Sequence, residues 1–122
     1  MCFWQNKVEK AFGAFRFLTE YGLSAKQNLR PPDVERIFTK DNIGIEVHYY
    51  SGVDSEFKKG MFVDIVILVN GNRCNLMKAD NIFGDEMLQV LKTDIDAVKP
   101  LAQIPVYADF IKTHIDKILS LG

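Results

Sequence analysis

One run of residues constrains the fold of this chain more than any other. Met61, Val63, Ile65, Ile67 and Val69 form an unbroken apolar row at every second residue, and Asn70-Gly71-Asn72 follows directly. A period of two belongs to a β-strand, and the companion row of Phe62, Asp64, Val66 and Leu68 is apolar enough for a strand covered on both faces. Asn-Gly is a tight-hairpin signal, so a partner strand is expected from Arg73 to Met77. A two-residue loop at Gly71-Asn72 would set Val69 opposite Cys74 and Ile67 opposite Leu76.

The same period recurs upstream. Ile43, Ile45, Val47 and Tyr49 alternate with Gly44, Glu46, His48 and Tyr50, and Asp41-Asn42 supplies a turn after the β-branched and aromatic run from Val34 to Lys40. The stretch from Ser24 to Asp33 has few large apolar side chains and contains Pro31-Pro32, so it reads as a connector.

Helical spacing occupies both ends. Trp4, Val8, Ala11, Phe12, Phe15 and Leu18 recur three or four apart, predicting an amphipathic helix from Phe3 to Tyr21 with Gly22 as its stop. Met87, Leu88, Leu91, Ile95 and Val98 predict a second helix from Phe83 to Val98. Pro105 suits the first turn of a last helix that carries Tyr107, Phe110, Ile111, His114, Ile115, Ile118 and Leu119. The expected architecture is one α+β domain over residues 1–122: an N-terminal helix, a four-stranded antiparallel meander and two C-terminal helices packed on the sheet.

Composition narrows the function classes. The chain's 122 residues suffice for one core without staples, and 48% hydrophobic with 25% charged residues excludes a disordered chain. Fifteen basic against 16 acidic residues leave no cationic surplus for non-specific nucleic-acid binding. No apolar run approaches the ~18 residues of a membrane span, and Met1 to Lys10 lacks signal-peptide features, so a cytoplasmic protein is expected. Cys2 and Cys74 have no paired spacing, which argues against a disulfide framework or structural zinc.

The catalytic inventory is thin. A Cys nucleophile needs a nearby base, yet strand parity places Cys74 on the row of Ile67 and Val69 and His48 on the opposite face of its own strand. Cys74 therefore reads as a small buried hydrophobe and His114, between Phe110 and Ile118, as a packing histidine. No His, Cys or carboxylate stands at helical ligand spacing with a third convergent group, so neither metal nor cofactor is expected.

Charge is unevenly spread. Residues 1–40 carry +3, residues 41–98 carry −5 and residues 99–122 carry +1; Asp80, Asp85, Glu86, Asp94 and Asp96 are balanced only by Lys92 within their segment. Such a block is either a solvated helix face or a docking surface for a basic partner. The outer sheet face, with Glu46, His48 and Tyr50 beside Phe62, Asp64, Val66 and Leu68, is a second candidate surface unless a helix covers it.

The end of the first helix, Phe15-Arg16-Phe17-Leu18-Thr19-Glu20-Tyr21-Gly22-Leu23, and the tail from Tyr107-Ala108-Asp109-Phe110 to Ile118-Leu119 resemble small bacterial α+β proteins of the immunity type. The resemblance implies a non-catalytic protein that neutralises a cognate toxin domain from a polymorphic or contact-dependent growth inhibition system, commonly a nuclease, by binding it inside the producing cell. On that reading the acidic segment, Asp80, Asp85, Glu86, Asp94 and Asp96, with Asp54 and Glu56 of the Ser51–Gly60 loop, is the expected contact surface. The alternatives are a small enzyme using Cys74, His48 or the clustered carboxylates, and a ligand-binding or oligomer-forming domain.

Overall fold

The computed structural model describes residues 9–30, 33–49 and 63–122, and in these the chain forms one antiparallel sheet with helices before and after it. The strands, β1 (Ser24–Arg30), β2 (Asp33–Lys40), β3 (Ile43–Tyr49), β4 (Val63–Val69) and β5 (Asn72–Asn75), lie side by side in chain order. Helical residues 9–12 and a 3-10 turn, Gly13–Phe15, precede α1 (Phe17–Glu20). After the sheet come a 3-10 turn, Leu76–Lys78, then α2 (Asp80–Phe83), α3 (Asp85–Asp96), α4 (Pro100–Thr113) and α5 (Ile115–Leu119). The α+β class and the antiparallel meander match the sequence reading, but the sheet has five strands rather than four. The expected helical residues Phe3, Trp4 and Val8 and the loop from Ser51 to Gly60 lie outside the described residues.

The additional strand is the expected connector. β1 pairs with β2 from Ser24 opposite Thr39 to Arg30 opposite Asp33. An edge strand is held by main-chain hydrogen bonds to one neighbour and needs no continuous apolar row, so Ser-Ala-Lys-Gln-Asn-Leu-Arg carries little periodic signal.

Register sorts the side chains onto two faces. Val34 and Phe38 of β2, Ile43, Ile45 and Val47 of β3, and Val63, Ile65 and Ile67 of β4 form the inner face and enter the core. Each described helix and 3-10 turn adds to this same core, among them Phe15, Leu18, Leu76, Phe83, Leu91, Ile104 and Ile118. The described helices thus contribute their buried side chains to the core on the inner face. Arg36 sits on the inner row between Val34 and Phe38; its ion pair with Glu9 and its position 6.0 Å from the Phe12 ring tie residues 9–12 to β2.

Two glycines set chain reversals. Gly22 has φ 91°, the Leu23 N–H donates to the Leu18 carbonyl and the Gly22 N–H to that of Thr19, so the first helical region ends in a Schellman motif. Asn70 and Gly71, at φ 53° and 84°, close the β4–β5 hairpin with both loop residues left-handed, as a type I′ turn requires. The loop is Asn70-Gly71 rather than Gly71-Asn72, so Ile67 faces Cys74 and Val69 faces Asn72. That displacement is even, and Cys74 consequently keeps its expected inner face.

The C-terminal helices also differ from expectation. α4 starts at Pro100, and Pro105 sits inside it rather than at its start. A proline one turn into a helix removes one main-chain bond; burial of Ile104, Tyr107, Ala108 and Ile111 holds the helix through it. Met87 and Val98, expected on the buried stripe, are 40% and 36% exposed, because the core-facing side of α3 is confined to Leu88, Leu91 and Ile95.

Candidate partner-docking surface

α3 begins after Gly84, whose φ of 88° turns the chain out of α2. Asp85 and Glu86 occupy its first turn, where carboxylates oppose the positive end of the helix dipole. With Leu88, Leu91 and Ile95 buried, two flanks of α3 remain, and the 100° step between residues assigns the rest to them.

On one flank Met87 and Val90 stand out of the core, 40% and 62% exposed. They border a groove of about 480 Å³ shared with Val106, Phe110 and His114 of the α4 side, whose carboxylates are Asp94 and Asp109. An adjoining hollow of about 730 Å³ is lined by Phe83, Asp85, Glu86, Met87 and Val90. His114 is half-buried, with its ring 4.5 Å from Phe110 and 5.5 Å from Phe83; burial, and then Lys117, hold its pKa below the ordinary histidine value. This flank has an apolar centre with carboxylates around it.

The other flank is a cleft of about 750 Å³ between α3, α4 and the end of β4. Asp64, Asp80, Asp85 and Asp96 line it, opposed by Lys78 and Lys92. Asn75 organises its rim: its side-chain amide donates to Asp64, and its Oδ1 accepts from the Met77 N–H at 2.9 Å. Gln103, buried in the wall, donates to the Ile95 carbonyl at 3.2 Å. Burial pushes the Tyr107 phenol up to about 12, and the Asp64 and Asp96 carboxylates add to the effect. Tyr107 therefore stays protonated at neutral pH.

The expected contact residues are thus divided. Asp80, Asp85 and Asp96 line the cleft, Glu86 and Asp94 lie on the apolar flank, and Asp85 borders both the cleft and the hollow. Asp54 and Glu56 lie outside the described residues. The apolar members, Met87 and Val90, were missed: Met87 fell at core spacing, while Val90 is visible only as an aliphatic residue on the polar side of the helical wheel. Asp64 and Tyr107 come from other elements, and their meeting with α3 depends on tertiary packing.

Cys74 and His48 lie on opposite faces of the sheet, Cys74 paired with Ile67 and His48 paired with Asp64. They form no nucleophile–base pair. The outer face is also less open than expected, since Glu46 and Val66 are 5% and 6% exposed; Tyr50 and Phe62 lie outside the described residues. No helix among the described residues is long and apolar enough to cross a membrane. No family model, no curated protein and no solved structure matches the chain.

Proposed function

We propose that this chain is a non-catalytic, immunity-type protein that neutralises a cognate bacterial toxin domain in the cytoplasm by covering it with the exposed flank of α3. The observation that carries this reading is the pairing of protruding Met87 and Val90 with a rim of Asp85, Glu86 and Asp94. Protein interfaces place apolar anchors at the centre and polar groups at the edge, and a few central residues carry most of the affinity. The acidic rim matches a basic partner surface. A nuclease fits that description, because an enzyme that holds an anionic nucleic acid presents cationic side chains.

The cleft carboxylates Asp64, Asp80 and Asp96, partly offset by Lys78 and Lys92, add to the negative field around α3 without needing to touch the partner. Coexpression with the product of the reading frame immediately upstream, assayed as a toxin, tests the proposal. A stable complex and restored growth are expected; absence of both overturns it.

A further inference from the structure

The outer face of the sheet gathers a cluster unlike the α3 surface. Glu35 stands opposite His48 across β2 and β3, and Glu46 lies two residues before His48 on the same strand, so all three point to one side. His48 Nε2 is 2.9 Å from Glu46 Oε1, and His48 Nδ1 is 3.7 Å from Glu35 Oε2. One candidate ligand atom from each residue lies within 4.8 Å of the other two. Glu46 is only 5% exposed, and its second oxygen accepts from Arg73 Nη1 at 2.6 Å. A carboxylate withdrawn this far from water is costly unless cations compensate it.

We propose that Glu35, Glu46 and His48 form a binding site for a divalent transition-metal ion of the Zn²⁺ class. One imidazole nitrogen with two carboxylate oxygens is a borderline donor set that suits Zn²⁺, whereas Mg²⁺ and Ca²⁺ take shells built of oxygen. Ligand atoms around tetrahedral Zn²⁺, bound at about 2.0–2.1 Å, lie roughly 3.3 Å apart. Glu46 faces Nε2 and Glu35 faces Nδ1, so an ion bound to either nitrogen draws the carboxylate at the other toward it, across a gap of no more than 4.8 Å.

Arg73 supplies the orienting partner. It holds the Glu46 oxygen that does not face His48, and with its side chain 57% exposed it can adjust as the carboxylate turns. Asp64, across from His48 on β4, already accepts from Asn75 and stays outside the ligand set. Three protein ligands leave a fourth position to water. Its ligands sit at cross-strand and two-residue spacing, not at the helical spacing of many metal motifs, so the sequence alone does not bring them together.

Chelator-stripped protein titrated with Zn²⁺ in a calorimeter tests the assignment without any partner. One ion per chain is expected, with a higher melting temperature in Zn²⁺ and little change in Mg²⁺. His48→Gln and Glu35→Gln should each weaken binding by roughly 10- to 100-fold or more. His114→Gln, which alters the chain's other histidine, should leave binding unchanged. Circular dichroism checks that the variants fold, and if His48→Gln does not, Glu35→Gln decides alone. Absence of Zn²⁺ binding, equal response to Mg²⁺, or affinity that follows His114 rather than Glu35 and His48 overturns the site.

Discussion

At the scale of single residues, Met87 and Val90 contribute little to the core and are available to a partner. Met87→Asp and Val90→Asp should alter stability by no more than about 0.5 kcal/mol, the usual range for surface positions. Each should cost about 2 kcal/mol or more of binding, roughly a 30-fold rise in Kd, if it anchors the interface. Chemical denaturation and titration against the toxin domain read the two effects separately. Tyr107 makes a different kind of prediction. Its folded pKa, about 12, lies above the ordinary 10.0, so the folded state holds the phenolic proton more tightly. That contribution is complete below pH 10 and is lost as pH rises from 10 to about 12. It is worth about 2–3 kcal/mol, and Tyr107→Phe should flatten the alkaline decline seen in urea denaturation across that window.

At the scale of elements, the hairpin turn is the sharpest test. Gly71 has open space around a Cβ position, so the cost of a side chain there is conformational rather than steric. Gly71→Ala should destabilise the protein by about 1 kcal/mol, and Gly71→Asn should cost less, because Asn tolerates left-handed angles. Equilibrium unfolding of the two variants compares them directly. The central strands and this turn were legible because a buried strand writes its burial into every second residue. β1 was not, since an edge strand secured by main-chain bonds leaves Ser24, Ala25 and Lys26 free of any pattern. The start of α4 was misplaced for a related reason: Pro100 and Pro105 both satisfy a helix start, and only the buried positions of Ile104 and Tyr107 decide between them. The acidic segment was equally visible, but its division was not. The 100° helical step puts Asp85 and Asp96 on one flank and Glu86, Val90 and Asp94 on the other. The cluster of Glu35, Glu46 and His48 needed the β2–β3 register before its members could be brought together.

At the scale of the whole molecule, a formal charge of −1 conceals an uneven surface, with the −5 of residues 41–98 set against positive flanking segments. Association with a basic partner should therefore slow as salt rises, chiefly through kon, because the Debye length falls from about 10 Å at 0.1 M to about 3 Å at 1 M. Stopped-flow association at graded ionic strength measures this, and a salt-independent rate would remove the steering argument. Strand order has a consequence of another kind. Each strand lies beside the one made just before it, from β1 through β5. Such a layout asks for little chain to be gathered over long distances before contacts begin to reward it, which favours quick assembly. During synthesis the sheet can form strand by strand behind the advancing ribosome, with α3, α4 and α5 following it. On the function proposed above, an antidote is useful only if it matures early, and a meander is a topology suited to that timing.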